Sequence, residues 1–504
     1  MSNIKRTRFP PEPNGYIHLG HVKAMLFDFN FNKNCECILR MDDTNPQTEK
    51  QEYVDAIVND VKWLGFEFCK LTYTSDYFDD LYKFALDLIK KDKAYVDFSL
   101  PEEIKEMRHK GIESKYRSKS VEWNLIKFDD MKSGKFKENE VVLRLKIDMK
   151  HDNHSLRDPI AYRIRLAPHY RTINKWCIYP SYDYSHGIVD ALEGITDSYC
   201  TMEFYNRREQ YYWSVKQLGL TAAVVSEFGK LNIENVSLSK RKIIPLIENK
   251  ILSGFDDPRL YTIRGLRRRG YTAEILKNIV SKTTINFSRS EPCISKGMIE
   301  HELRAVLERT SPRAFAVLDP LTLCILNYTD DEVCTHPNHP VDKTMGSHNI
   351  IFTKNIYIDR NDFRVNDDPS YYRLAPDKTV RLRYSNFIKC DSYDLNSNTI
   401  YANITSPEKP NKIKGIIHWL NEMSPCAIFE IYEDLYDKKD TFTNSIKQYK
   451  GYVEEYVIEE IKNKGVDTVM QFERLGYFKL DRYSDNIPIF IQIIGLVDKY
   501  NKSI

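Results

Sequence analysis

No two cysteines form a CxxC pair, and no regular spacing links the ten that occur, at positions 35, 37, 69, 177, 200, 293, 324, 334, 390 and 426. That pattern excludes a disulfide framework and fits free thiols in a reducing compartment. Cys35 and Cys37, one residue apart, suit a strand better than a zinc knuckle, and no metal site is expected from the sequence. Long apolar runs are also missing. None approaches ~20 residues, and the N-terminal MSNIKRTRFPPEPNG is polar and broken by proline, so neither a membrane span nor a signal peptide is expected. A cytoplasmic chain is the expectation. Charge of one sign is scarce: 74 Lys and Arg against 72 Asp and Glu leave a net +2, with no global pull toward DNA or any other nucleic acid. Binding to RNA must then use local basic faces. Low-complexity tails and helical repeats are absent as well.

What is present is globular material, 42% hydrophobic and 29% charged, in a chain too long for one core. At roughly 100–200 residues per domain, three to five domains are expected. From Arg6 to Gly65 short apolar strands (TRFPP, CECILRMDD) alternate with helical stretches (KAMLFDFNFNK, QEYVDAIVNDVKWLG), the rhythm of a parallel nucleotide-binding α/β sheet. The rhythm breaks after Leu81 and resumes near WCIYPSYDY, which marks an inserted domain. From about Ser253 to Arg313 apolar residues recur at three- and four-residue steps, the period of helices. After Ala314 short strands separated by Pro, Gly, Asn and Asp favour β-barrels.

Two segments carry chemistry. In FPPEPNGYIHLGHVKA, prolines hold a loop extended, Gly15 turns it, and His18 and His21 stand three residues apart at the start of a helix. On one side of one turn, both can donate to triphosphate oxygens beside the backbone donors of the helix start. Gly20 leaves room for an adenine ring or ribose against the backbone. Two surface histidines capping a helix are the alternative reading. In NVSLSKRKI, Ser239, Lys240, Arg241 and Lys242 form a cationic loop, which alone is an ordinary solvated charge run but beside the first segment would complete charge stabilisation at the phosphates.

FPPEPNGYIHLGH resembles the HIGH signature of class I aminoacyl-tRNA synthetases, and SLSKR resembles their KMSKS signature in its glutaminyl form. Order and separation match, and the likeness to the glutamyl/glutaminyl subfamily continues through RMDDTNP, KWCIYPSYDYSHGIVDALEGIT, CTMEF, DDPRLYTIRGLRRRGY, PRAFAVLDP, GIIHWL and QFERLGYF, almost the whole chain. The resemblance implies a multidomain α/β plus all-β architecture. Residues 1–80 and 182–240 would form a Rossmann-like catalytic domain, 81–181 an inserted acceptor-stem-binding domain and 241–314 a helical domain. Residues 315–355 with 455–504 would form the proximal, and 356–454 the distal, of two anticodon-binding β-barrels. With the first motif within ten residues of Met1, no N-terminal RNA-binding appendage is expected.

The implied activity is ATP-dependent ligation of L-glutamine to the 3′-terminal adenosine of tRNA(Gln) through a glutaminyl-adenylate. Mg2+ would enter with ATP, without a dedicated protein site, and the chain would act as a monomer. By resemblance, Glu12, Pro13, Asn14, His18, Leu19, Gly20, His21, Val22, Lys23 and Ala24 contact ATP, with Thr201, Lys230, Leu231, Leu238, Ser239 and Lys240. His18, His21 and Lys240 carry the catalytic charge stabilisation. Asp42 matches the carboxylate that holds the substrate α-ammonium, and Tyr182 the tyrosine that reads the side-chain amide. Read alone, Asp42 has a helix N-cap in DDTNP as its alternative, and Tyr182 a core aromatic with its hydroxyl satisfied.

Glutamine and glutamate are nearly isosteric, so discrimination rests on charge and donor pattern. Related glutamyl enzymes typically carry arginine where this chain has Cys200, and a different sequence where it has SHG with His186. Without that arginine a glutamate carboxylate would enter unpaired. Two departures stand out: Val225 occupies a position usually held by glutamine, and Lys230 replaces a common arginine, keeping the charge but losing the fork. For RNA, Gln471 and Arg474 would read an anticodon base, with Lys412 and Lys414 nearby, and Arg163 and Arg165 fit a strand facing phosphates. The alternatives are a glutamyl-tRNA synthetase, discriminating or not, and a non-catalytic tRNA-binding paralogue.

Overall fold

The structure, a computed structural model, describes residues 4–30, 35–234, 236, 240–283, 291–406, 408–433, 435 and 446–496. They fall into two compact units. One draws on Met1–Glu234, Leu238–Ile244 and Leu276–Ser295; the other draws on Asn235–Ser237, Pro245–Ile275 and Lys296–Ile504.

In the first unit β1 (Lys5–Phe9), β2 (Cys35–Met41) and β3 (Lys70–Tyr73) form a parallel sheet in that order. Parallel strands need crossovers, supplied by α1 (Leu19–Asn30) and α2 (Gln51–Trp63). Helix α2 buries Val54, Ile57 and Val61, three- and four-residue steps along one face. After α3 (Phe78–Lys90) the chain leaves the parallel layer for an antiparallel sheet of β4 (Ala94–Asp97), β5 (Val142–Leu145), β6 (Ile160–Ile164) and β7 (Ile178–Pro180), the expected insertion. Within it lie α4 (Pro101–Lys110) and α5 (Val121–Lys132). Proline at the first turn of α4 lacks a donor the helix does not need, and Gly111, at φ +69°, ends it in a left-handed turn. The core under this sheet joins Leu81, Leu88 and Ile89 of α3 to Leu143, Tyr162 and Ile178.

The chain then re-enters the parallel layer through α6 (Tyr182–Leu192). Strands β8 (Asp197–Thr201) and β9 (Val224–Phe228) pair in parallel across α7 (Arg208–Gln217). Thr196 and Arg6 exchange hydrogen bonds, which holds the start of β8 beside β1. Helix α8 (Lys240–Glu248) follows.

The second unit contains two seven-stranded sheets, each over its own apolar core, plus the hairpin Glu332–Pro337/Ser347–Phe352. Hydrogen bonding groups the strands differently from the expected boundaries 315–355/455–504 and 356–454. Ala316–Val317 pairs with Ile446–Val453, while Pro320–Ile325 and Asn355–Asp359 join the sheet of residues 379–421. Asp319 and Pro320 break the apparent run AFAVLDPLTLCILNY between them, proline having no ladder donor. The expected helical segment 241–314 is likewise divided, its residues 276–295 belonging with the first unit, where Asn232–Ile233 pairs in parallel with Cys293–Ile294. No helix among the described residues is long and apolar enough to cross a membrane.

Candidate active site

In parallel α/β layers ligands gather at the carboxyl ends of the strands, where loops diverge. Four such ends carry the residues of interest: the loop 10–17 follows β1, Asp42 follows β2, Cys200 and Thr201 close β8, and Gly229 to Leu231 follow β9. Backbone bonds pin the first loop to the second, Asp42 N donating to Pro11 O at 3.0 Å and Lys50 N to Pro13 O at 3.1 Å.

His18 precedes α1 as its N-cap. Its Nδ1 accepts from Gly20 N at 3.1 Å, and Nδ1 of His21 accepts from His18 N at 3.1 Å, a reciprocal cap in which two imidazoles replace the usual oxygens. The helix-capping alternative is therefore realised, and it has a chemical consequence. With both Nδ1 atoms accepting, the proton of each neutral ring sits on Nε2, making that atom the donor. The rings lie 4.1 Å apart between centroids. A Cβ at Gly20 would stand 2.9 Å from His18 Cε1, so the glycine makes space for the histidine ring.

Several other expected nucleotide contacts lie in the core. Leu19, Val22 and Leu231 are buried, and Lys23, 1% exposed, donates its ammonium to Gly229 O at 2.7 Å, tying α1 to the end of β9. Burial pulls the Lys23 ammonium below its ordinary range. Lys23 is thus a tether, and its side chain is withheld from phosphate. Glu12 is exposed, Pro13 buried, and Asn14, Gly20 and Ala24 half-buried along the loop and first turn. Across from them Thr201 is half-buried and Lys230 is exposed, paired with Glu203 at 2.9 Å. Lys240 opens α8; Leu238 and Ser239 lie outside the described residues.

The amino-acid side of the site is a buried polar cluster. Asp42 is 6% exposed and receives one side-chain bond, from Thr74 Oγ1 at 3.2 Å, so the helix-cap alternative does not hold for it. Burial pushes its carboxyl up to about 7, Arg40 opposing and Glu12 and Asp43 adding to the rise. Such a carboxyl is poised to be ionised by an incoming ammonium. Tyr182 opens α6, stacks on His186 at 4.8 Å and interacts electrostatically with Asp42 and Cys200. Burial raises its phenol well above the ordinary range, so it stays a neutral donor or acceptor. Val225 packs against the apolar cluster of Ile38, Ile195 and Tyr211, and its N–H donates to Tyr212.

Sequence reasoning missed what lies behind Cys200. Arg8, fully buried on β1, donates to Asp190 Oδ1 at 3.1 Å, Tyr199 O at 3.1 Å, Ser198 Oγ at 2.7 Å and His186 Nε2 at 2.8 Å, and its Nη2 lies 3.8 Å from Cys200 Sγ. Position 200 carries no arginine, yet a cation lies behind Cys200, supplied by Arg8 of β1. Its charge is held by Asp190, which also binds Arg40 and Tyr211, while Arg40 reaches Glu193 at 2.9 Å. Two arginines and two carboxylates balance, and each is buried. Burial lowers His186 to about 3, so the ring is neutral, and burial raises the Cys200 thiol, so it too is uncharged near pH 7.

In the second unit Gln471 is 6% exposed, on the strand Val469–Phe472 opposite Arg313, and its Oε1 has no hydrogen-bond partner among the described residues. Arg474 does not project outward. Its guanidinium forks onto Asp362 with two 2.6 Å bonds and lies 3.0 Å from His418 Nδ1. Lys412 and Lys414 are exposed, the latter 5.1 Å over the Tyr372 ring.

The sequence matches three family models in order: the catalytic domain of the class I (E and Q) tRNA synthetases over residues 5–300, and two anticodon-binding domains of the same family over 311–405 and 416–481. A cytoplasmic glutamine–tRNA ligase of Arabidopsis thaliana is 41% identical over 98% of this chain and 65% of its own length. A probable glutamine–tRNA ligase of Dictyostelium discoideum is 42% identical over 99% and 66%, respectively. A glutamine–tRNA ligase of Clostridium perfringens is 41% identical, with coverage of 98% and 94%. The chain thus spans about two thirds of the length of the plant and slime-mould relatives and nearly all of the bacterial one. A catalytic-domain match over more than half of the residues, with identity above 40% along nearly the full length of a relative, places the chain in the class I glutamyl/glutaminyl tRNA synthetase family.

Proposed function

We propose that the chain joins L-glutamine to the 3′-terminal adenosine of tRNA(Gln) in the cytoplasm, using ATP as its Mg2+ complex. The observation that carries the choice of glutamine is the charge balance behind Cys200. Arg8 is the cation a glutamate carboxylate would seek, and Asp190 already holds it. What faces the substrate is then neutral: the Cys200 thiol, the His186 imidazole and the Tyr182 phenol. An amide meets hydrogen-bonding partners there, whereas a carboxylate would be desolvated against a spent cation.

In the first step a carboxylate oxygen of glutamine attacks the α-phosphorus of ATP, and the bond to pyrophosphate breaks. Asp42 would hold the α-ammonium and fix the direction of attack. His18 and His21, with protons on Nε2, would donate to phosphate oxygens as charge moves onto the leaving group, and Lys240 would add a cation. In the second step a terminal ribose hydroxyl attacks the acyl carbon and AMP leaves. Neither step requires an enzyme nucleophile. Tyr182, Cys200 and His186 would contact the side-chain amide, and Gln471, Arg474, Lys412 and Lys414 the anticodon arm.

Amino-acid-dependent exchange of pyrophosphate into ATP, with total tRNA present, tests the reading. Exchange driven by glutamine is expected. Exchange driven by glutamate instead would favour a glutamyl enzyme, and no exchange with any amino acid would favour a tRNA-binding protein without catalysis.

A further inference from the structure

The two strands of the hairpin Glu332–Pro337/Ser347–Phe352 place His336 directly opposite His348, side chains on one face and ring centroids 4.7 Å apart. Both rings meet the same carboxylate. Glu454 follows the strand Ile446–Val453 and stands just before the helix Glu455–Lys464; its Oε1 lies 2.9 Å from His336 Nδ1, and its Oε2 contacts His348 Nε2. The two histidines and the glutamate are 0%, 9% and 2% exposed at their side chains. One nitrogen of each ring and a carboxylate oxygen all lie within 4.8 Å of one another.

His348 Nδ1 lies 2.5 Å from Asn338 Oδ1, and that amide is oriented by its own Nδ2 donating to Met345 O. The oxygen therefore faces the ring, and Nδ1 carries the proton. His336 Nε2 lies 3.5 Å from Glu473 Oε1 without a hydrogen bond to it, and that carboxylate is held by Arg383 and by Tyr384 OH at 3.2 Å. Glu454 Oε1 also accepts from Phe315 N, and one nitrogen of each ring converges on the same buried carboxylate, an arrangement balanced either by a proton on an inner ring nitrogen or by a metal cation between the three groups.

We propose that this cation is a zinc ion, bound by His336 Nδ1, His348 Nε2 and the Glu454 carboxylate. Two imidazoles and one carboxylate are a borderline-soft set that suits zinc above calcium or magnesium. Histidines bound to metal characteristically donate their other N–H to a carboxylate or amide oxygen, the role Asn338 fills for His348, with the Glu473 carboxylate 3.5 Å from His336 Nε2. At bond lengths of about 2.0–2.2 Å the ligands stand about 3.5 Å apart, so the ion takes the place of hydrogen bonds by moving the carboxylate about 1 Å. Its ligands are 12, 106 and 118 residues apart, so the ion would staple the hairpin to the sheet beside it. Nothing in the aminoacylation chemistry uses these three side chains.

The test uses the full-length chain, expressed with zinc in the medium and purified without chelator. Atomic emission is expected to find one zinc per chain. Exchange for Co2+ is expected to give visible absorption bands, and removal by a chelator to lower the thermal midpoint by several degrees. His348→Gln is expected to lose the metal and the bands. A wild-type chain that holds no zinc and gives no cobalt spectrum would overturn the proposal even if the variant fails to fold. So would a folded His348→Gln variant that keeps its metal and spectrum, since that would place the ion elsewhere, such as on the exposed thiols of Cys69 or Cys293.

Discussion

Nη2 of Arg8 lies 2.8 Å from Nε2 of His186, and because a guanidinium only donates, the imidazole nitrogen must accept. That bond fixes the proton of His186 on Nδ1 and keeps the ring neutral beside Cys200. The partner that makes it tolerable is Asp190, which neutralises Arg8 from behind.

Removing that partner should be costly. Asp190→Asn removes the carboxylate that Arg8 and Arg40 share while both stay buried, and a loss of about 3–5 kcal/mol is expected in urea unfolding. The Asp190 carboxyl is held well below the carboxylate range by Arg8 and Arg40 against the cost of its burial. A depressed folded pKa contributes stability that is fully present above about pH 4 and lost as pH falls below it. The wild type should therefore lose stability in acid more steeply than the variant; equal acid slopes would count against the pairing.

Asp42 behaves in the opposite sense. Its carboxyl rises to about 7 on burial, and the α-ammonium of the substrate prefers the ionised form. The KM for glutamine should fall as pH rises from about 6 to 8, approaching tenfold per unit on the acid side. Asp42→Asn should raise KM and flatten the profile. A profile unchanged by the substitution would assign the titration to another group.

Gly20→Ala separates capping from catalysis. Alanine is the better helix residue, yet its Cβ would meet the His18 ring at 2.9 Å. Stability should hold within about 1 kcal/mol while pyrophosphate exchange drops on the order of 10- to 100-fold, because one phosphate donor is displaced. Unchanged exchange would mean that the His18 ring plays no part in the first step.

Arg474 is the residue whose proposed role and structural role pull apart. Asp362→Ala should weaken tRNA binding and stability together, by about 3 kcal/mol in the latter, since it strands a half-buried guanidinium. In a double-mutant cycle Asp362→Ala with Arg474→Ala should cost little more than the worse single change. Full additivity would show that the pair does not act as a unit.

Much of this was legible locally. Strand, loop and helix alternate over the first 65 residues, and the His18/His21 turn follows a strand end as a parallel layer requires. The insertion announced itself by a change of rhythm. Contacts made across long sequence separations were not legible: Arg8 meets Asp190 and His186 through pairs 182 and 178 residues apart, and nothing in RTRF distinguishes Arg8 from the partly exposed Arg6 two positions before it. The ammonium of Lys23 looked available in sequence and is occupied by Gly229 O, 206 residues away. The two C-terminal sheets read as one series of short strands, because which strands pair is decided by distant partners and not by local alternation. Arg474 lies beside Asp362 only once residues 112 apart are brought together.

If a neutral pocket floor selects an amide, attaching labelled glutamine and, separately, labelled glutamate to total tRNA with ATP and Mg2+ will show it. Charging with glutamine at least about a thousandfold more efficient than with glutamate is predicted, a ratio that unpaired burial of one carboxylate supplies. Comparable charging with glutamate would show instead that Arg8 remains available to a substrate carboxylate despite Asp190.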